Sequence, residues 1–598
     1  MTSQMSFGMS PSLSLIPLAS GQSPLCGSLA PTTSDWSALN ATLGGRLYYG
    51  QPWAKPCFST YNGNNVQPNE QECRYVQENF FNNHSNFNLQ YPMNAFNRLF
   101  FPVNRSNAFG AYAATQYEGC MSTGDSCVLD WLNPSNPEAF APQQDCSHGG
   151  VSPLYIDVRK KEDVIAAFKF SRKQKVPLAI KNTGHDFMGR SAVPHSLGLW
   201  MHNLKYISHK LDFVAEGCHL TGQSALTFGA GTQFYDISDF TEKHGLQMVS
   251  GSDQSVGAAG GWAQGGGHSP LTPTYGMGAD RTLQYKIVTP DGVFRTANAC
   301  QNEDLFFALR GGGGGTFGVV LEATMMVSPK ESFRVANINW PVTNHNLETV
   351  LGVFLDNITT IAKNGWGGYL TPSIGNLILI TPKLEIDAAQ GMMKSLVDLT
   401  TGLGGASSVT EVESYDEWFK GWVAGTMGSQ DPVGLPIAFA SRLIPAKNHE
   451  TEHSRLELKD ALMNAFANSA FSQLHITTPY GFNGTKGLDT SVHPIWRSVL
   501  YQVIFVNSWF WDATHADRAL AFSQSTKAVN FLRDITPGSG AYHNEADIHE
   551  PNFEESFWNG HYPRLLEIKQ KYDPEHILDC WHCVGWKGAK DPQYRCYI

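Results

Sequence analysis

Two glycine-rich stretches fall within 20 residues of each other: Gly251-Ser252-Asp253-Gln254-Ser255-Val256-Gly257-Ala258-Ala259-Gly260-Gly261 and Gly265-Gly266-Gly267-His268. Residues without Cβ let successive backbone N–H groups come close to an anionic or flat ligand. A hairpin needs far less glycine. A long flexible loop fits poorly, because Val256, Ala258, Ala259 and Trp262 interleave the glycines with side chains suited to burial. The expectation is a cofactor cradle lined by main chain. A third stretch, Gly313 to Gly318, matches G-x-G-x-x-G, which in a dinucleotide-binding Rossmann unit follows a strand and opens a helix. Here the order is reversed. Asp304 to Arg310 reads as helix and Val319 to Val327 as strand, so these glycines read as a close helix-to-strand packing turn.

With 598 residues, two or more domains are expected. Fifteen Trp, 34 Phe and 21 Tyr supply enough apolar surface to exclude disorder as the main state. No apolar run approaches the ~18 residues that would span a bilayer, so no membrane partner is expected. The 42 basic and 53 acidic residues give a net charge of −11, and the basic ones are scattered, which argues against nucleic acid. Six of the 11 Cys lie in the first 150 residues (Cys26, Cys57, Cys73, Cys120, Cys127, Cys146) and three in the last 20 (Cys580, Cys583, Cys596). That clustering reads as disulfide-stapled peripheral segments. With the sequons at Asn40, Asn83, Asn104, Asn357 and Asn483, it points to a secreted protein. The only apolar stretch near the N-terminus, Leu13 to Ala19, is short and has no preceding Lys or Arg, which leaves a signal peptide undecided. An odd cysteine count leaves one thiol unpaired, with Cys218 and Cys300 as candidates. Cys580-Trp581-His582-Cys583 has the spacing of a zinc half-site but no second pair, so it reads as disulfide cysteines and no metal is expected.

Residues 1–146 are rich in Asn, Ser, Pro and Cys without sustained periodicity and read as an irregular N-terminal extension. Beyond them, Val164, Ala167 and Phe168 recur at helical spacing, and Val176 to Ile180 reads as a strand that delivers the loop Lys181-Asn182-Thr183-Gly184-His185-Asp186. Leu283 to Thr289 and Val293 to Thr296 form a hairpin around Pro290-Asp291-Gly292. Glu348 to Ala362 and His453 to Asn468 read as helices and Ser498 to Val506 as a strand, which suggests a second α+β unit. In the tail, Pro563 suits a helix start, Lys569 and Lys571 its last turn, and Asp573-Pro574 its stop.

Those residues carry a family resemblance. Ile180 to Ser191 is similar to the first FAD-binding loop of the vanillyl-alcohol-oxidase/p-cresol-methylhydroxylase superfamily of FAD-linked oxidases. Gln264 to Ser269 and Tyr275 to Asp280 are similar to its second FAD segment. Asn559 to Leu565, with Lys571 to Pro574, resembles the closing module of berberine-bridge-enzyme-like members, including the fungal isoamyl-alcohol-oxidase type. The resemblance implies an α+β fold: a two-subdomain FAD-binding domain (147–332), a substrate domain with an antiparallel sheet backed by helices (333–547), and a C-terminal segment (548–598) that returns to the FAD domain. It implies FAD tethered through His185. The other cofactor-binding residues would be Asn182, Thr183, Gly184, Asp186 and Ser191 from the first loop, and Asp253, Ser255, Val256, Gly257, Gly260, Gly261, Gly267 and His268 from the second segment, with Val319 and Asn544. Many relatives place a second flavin-linked Cys where this chain has Asp253, so a single covalent link is expected. An ionised Asp there is acceptor-only and would disfavour an electron-rich reduced ring unless protonated or hydrogen-bonded.

The activity implied is hydride transfer from substrate to flavin N5, then reoxidation by O2 to give H2O2. The expected base is Tyr542, in Tyr542-His543-Asn544, with Arg497 or His543 assisting because a free Tyr titrates near 10. A core aromatic with a paired hydroxyl is the other reading of Tyr542. Tyr501 and Trp509 are expected on a strand roofing the cofactor, as substrate wall or as ordinary sheet packing. Three functions stay open at this level: a secreted oxidase of an alcohol or carbohydrate, a biosynthetic oxidase that cyclises or dehydrogenates a natural product, and a silent flavin- or sugar-binding protein. Oligomeric state is not legible.

Overall fold

The computed structural model describes residues 31–78, 80, 115–219, 221–423, 435–484 and 489–597. Cys26 and the sequons at Asn83 and Asn104 lie outside them. The helix read at Val164 to Phe168 spans Lys161–Gln174, with Glu162 and Asp163 in its first turn and Arg172 and Lys173 in its last, which complements the helix dipole. It covers a four-stranded sheet in which Leu154–Asp157 and Leu178–Lys181 run parallel to Leu197–Trp200, while Leu47–Tyr49 adds an antiparallel edge. Ligands bind outside the carboxyl ends of parallel strands. Leu178–Lys181 ends at Asn182, so the His185 loop starts at such an end.

The second sheet is antiparallel and five-stranded, in the order Phe294–Asn298, Thr282–Val288, Val319–Met326, Gln223–Gly229, Ile207–Phe213. Its first two strands are the hairpin read from the sequence. Asp291 closes the turn by accepting from the Thr289 hydroxyl (2.6 Å) and the Val293 amide (3.1 Å), with Gly292 at φ +80°.

The third sheet has seven strands, all antiparallel: Ser408–Val412, Phe333–Asn339, Asn376–Thr381, Gly367–Thr371, Phe471–Ile476, Val499–Ser508, Ile437–Pro445. Helices Asn344–Lys363, Ile386–Gly402, Glu452–Phe466 and His515–Ile535 back one face over a core that includes Val350, Phe354, Leu474, Val503 and Phe505. The other face meets the N-terminal extension through Phe439, Ile504 and Val506. The tail helix, Tyr562–Tyr572, belongs to the same core as the five-stranded sheet.

Disulfides staple the periphery as expected: Cys57–Cys73, Cys127–Cys146 and Cys580–Cys583 close short loops, and Cys120–Cys596 joins the extension to the tail. The expectation of a free thiol at Cys218 or Cys300 is corrected, because the two pair with each other across 82 residues. Parity alone could not show that the unmatched cysteine is a different one. Replacing Cys120 and Cys596 by Ser is expected to cost about 2–5 kcal/mol, since the cross-link restrains the unfolded chain. Denaturant midpoints of the double variant and of wild type measure it, and equal midpoints would refute it.

Candidate functional site

The carboxyl end of Leu178–Lys181, the turn Ala258–Trp262, the glycines of 313–318 and the segment 542–545 surround one cleft of about 1430 Å³, counting its open mouth. Ala258–Trp262 is a π-type turn broken by non-helical dihedrals at Gly260. Such bulges recur at functional sites. Gly257 and Gly260 clasp the Asn182 side chain, and a Cβ on them would lie 2.4 and 2.6 Å from its amide atoms. At Gly261, which lines the cleft, a Cβ would meet nothing nearer than 3.9 Å. Among the described residues, the amides of Thr183, Gly184 and His185 donate to no carbonyl, the arrangement of an anion-binding concavity.

Buried polar atoms without protein partners converge on the same cleft: Asn182 Oδ1, Asp253 Oδ2, Gln264 Oε1 and Arg190 Nη2. Arg190 is anchored by donating to Trp581 O (2.9 Å) and His543 O (2.8 Å). Burial lowers its guanidinium to about 10, with Asp186 opposing, so it stays cationic at neutral pH. Unsatisfied acceptors, one directed cation and bare main chain fit a long ligand with an anionic middle and a flat polar end, as FAD is. In the first loop, Asp186 accepts from the Ser191 amide (2.6 Å) and hydroxyl (2.8 Å), which folds the chain back after His185. The Thr183 hydroxyl accepts from Gly257 N (3.3 Å) and ties the two FAD segments together.

His185 heads a chain of bonds. Its Nε2 lies 2.7 Å from Ser255 Oγ, and Ser255 donates to Asp253 Oδ1 at 2.8 Å. Burial pushes the imidazole below its usual value, while the Asp253 charge pulls the other way.

At the sheet side of the cleft, His268 Nε2 meets Glu545 Oε1 (3.1 Å), and Gln502 donates to Glu545 Oε2 (2.6 Å). The Thr477 hydroxyl contacts His268 Nδ1 (3.1 Å). Burial alone would raise the Glu545 carboxyl. The charge and hydrogen bond of His268, with His475 and the Gln502 amide, outweigh that and hold it below the ordinary glutamate value. Burial pushes His475 down to about 3. One ligand atom each from His268, His475 and Glu545 lies within 4.8 Å of the others, the one grouping among the described residues with the donor types for a metal. His268 Nε2 is already engaged with Glu545, so the cluster reads first as a hydrogen-bond network.

Most residues expected at the cofactor come together here. Asn182, Thr183, Gly184, His185, Asp186 and Ser191 line the cleft from one side. Asp253, Val256, Gly257, Gly260, Gly261 and His268 line it from another, and Tyr542 and Asn544 face them. Ser255 does not line it and reaches it through His185 and Asp253. Gly267 does not line it: at φ +73° it turns the chain against Trp262. Val319 points into the core under the four-stranded sheet, and strand alternation gives the cleft its neighbours Gly318 and Val320 instead.

Four expectations for the catalytic end are corrected. Tyr501 faces the helices, where its hydroxyl meets His449 Nε2 (3.2 Å), and its neighbour Gln502 is the residue that reaches Glu545. Trp509 lies beyond the strand's end beside Phe522. Arg497 forms a two-pronged pair with Asp280 (2.6 and 2.7 Å) and braces the second FAD segment. Tyr542 is buried with its hydroxyl accepting from Asn544 (2.8 Å), and burial together with the Glu545 charge raises its pKa, opposite to what a base needs. His543 turns its Nδ1 toward Arg190 (3.2 Å) and stacks over Gly313, where a Cβ would lie 2.5 Å from its ring. Sequence reasoning missed Glu545, Gln502, His475 and Arg190. The available signal was polar residues at alternate positions in apolar strands: Gln473 and His475 in Phe471–Ile476, and Gln502 in Val499–Ser508.

Comparison with known proteins agrees with this geometry. Residues 153–298 match the FAD binding domain family and residues 541–580 the berberine and berberine-like family. The chain is 34% identical over 575 residues to the FAD-linked oxidoreductase cheF of Chaetomium globosum, covering 95% of this chain and 88% of that protein. The solved VAO-type flavoprotein MtVAO615 from Myceliophthora thermophila aligns with a TM-score of 0.76 at 27% identity, over 94% of this chain and 96% of that one. Glucooligosaccharide oxidase from Acremonium strictum, whose FAD is 6-S-cysteinyl and 8α-N1-histidyl, shares the fold at a TM-score of 0.59 and 19% identity, over 72% of this chain and 91% of that one. The chain therefore belongs to the FAD-linked oxidoreductases, as a berberine-bridge-like member of the VAO-type flavoproteins.

Proposed function

We propose that this FAD-linked oxidoreductase is an oxidase of alcohols, the carbinols of sugars included, with its FAD tethered once, through His185, and with H2O2 as co-product. The observation that carries the reading is the half-buried Glu545 carboxylate, held by His268 and Gln502 at the cleft beside Tyr542. FAD in such a site accepts hydride from carbon and passes the electrons to dioxygen. The chain supplies position and a proton acceptor. Glu545, ionised, takes the hydroxyl proton of the substrate. A carboxylate only accepts, so His268 Nε2 carries the hydrogen of their shared bond, and Thr477 fixes the ring from Nδ1. Tyr542 positions Asn544, whose amide also donates to Gly261 O (2.7 Å) and so steadies the floor of the cradle. Asp253 offers no thiol, which limits the tether to one bond. The five disulfides among the described residues and the exposed Asn483, which heads a sequon, support secretion as part of the same proposal.

The test mixes the purified protein anaerobically with a panel of primary, secondary and sugar alcohols, then admits air. Bleaching of the flavin band by at least one of them, followed by stoichiometric H2O2, is the expected result. Bleaching only by amines or phenols that lack a carbinol would overturn the substrate class.

A further inference from the structure

Ser255 has one hydroxyl proton and two close polar neighbours, His185 Nε2 at 2.7 Å and Asp253 Oδ1 at 2.8 Å. An ionised Asp253 can only accept, so the Ser255 proton goes to it and Ser255 Oγ accepts from His185 Nε2–H. That assignment fixes the tautomer: Nδ1, the nitrogen outside the chain of bonds, keeps a free lone pair. The pair is built for this arrangement. Asp253 is 1% exposed, the Ser255 amide also donates to Asp253 Oδ1 (2.7 Å), and Gln233 Nε2 holds the Ser255 carbonyl (2.5 Å). Asp253 Oδ2, buried and without a protein partner, lines the cleft. The geometry is that of a catalytic triad with its nucleophile moved to the imidazole.

We propose that Asp253 and Ser255 are positioning residues that activate His185 for its own covalent attachment to the flavin, a step that rests on the reading of His185 as the tether. In that step the bond formed joins Nδ1 to the carbon of the 8-methyl group. The bonds broken are one methyl C–H and the imidazole Nε2–H, whose proton passes through Ser255 Oγ to Asp253. The electron pair released enters the ring system, and dioxygen removes it together with two protons as H2O2. The position at which many relatives carry a second tether thus serves, in this chain, to make the first.

The test is the rate of tethering. Apoprotein from riboflavin-starved cells is mixed with FAD, and covalent flavin is followed by intact mass and by fluorescence of the denatured protein in a gel. Ser255→Ala and Asp253→Asn are expected to bind FAD but to form the bond about 10²-fold more slowly, whereas Ser255→Thr, which keeps the hydroxyl, stays near wild type. Wild-type rates in both Ser255→Ala and Asp253→Asn would overturn the relay. So would an Asp253→Asn protein that takes up no FAD when His185→Ala does, since the pair would then be merely structural. A wild-type protein whose His185 peptide gains no FAD mass would overturn the tether itself, and is told apart from the other failures because it involves no variant.

Discussion

Glu545→Gln is expected to slow anaerobic flavin reduction by about 10²- to 10⁴-fold, the usual worth of a positioned general base. The amide keeps the shape of the side chain, so the flavin content and its spectrum should not change. The pH profile gives the sharper readout. The Glu545 carboxyl is held below its ordinary value, so the ionised, proton-accepting form persists into mild acid and is lost only as pH falls through that lowered pKa. Wild type should therefore keep its reduction rate through the ordinary glutamate range and lose it below, while Glu545→Gln shows no such acid limb. Tyr542→Phe should cost less, because it removes a support of Asn544 and leaves the proton acceptor in place. A Tyr542→Phe loss exceeding that of Glu545→Gln would return the base to Tyr542.

The second large effect concerns the tail. Lys569 and Asp573 are both 1% exposed and paired at 2.7 Å within Tyr562–Tyr572 and its stop. Lys569 Nζ also donates to Thr316 O (2.8 Å) and Leu578 O (2.7 Å), and the second carboxylate oxygen of Asp573 accepts from the Ile577 amide (2.8 Å). Thr316 belongs to the glycine-rich turn whose Gly314, Gly315 and Gly318 line the cleft, and Leu578 lines it from the tail. One ammonium thus fastens two walls of the cofactor site. Lys569→Met leaves Asp573 buried without its cation, which should lower stability by about 3–5 kcal/mol. Denaturant unfolding measures the loss, and an unchanged midpoint would refute it.

What the sequence disclosed, and what it withheld, follows from the range of each interaction. The hairpin around Asp291 and Gly292, the helix-to-strand order around Gly313 and the end of the tail helix at Asp573-Pro574 are local chemistry, visible in a few residues. The His185 loop and the glycine cradle were legible because the missing Cβ atoms leave a pattern whatever the fold around them. Tyr501 was misplaced because period two shows that faces alternate without saying which face meets helices. Arg497 was misassigned because its partner, Asp280, lies 217 positions away. Glu545 directly follows Tyr542-His543-Asn544 in the chain and carries no signal of its own, since an acidic residue is usually solvated. Its role depends on His268 and Gln502, which only the fold brings to it.

The Cys120–Cys596 link also sets how the molecule bears load. A pull applied through segments outside those two residues passes along one sulfur–sulfur bond and reaches the three sheets only through the edge strand Leu47–Tyr49. Under oxidising conditions a single-molecule extension trace should release only chain that precedes Cys120, and the unfolding steps of the five- and seven-stranded sheets should emerge only once a thiol reductant is added.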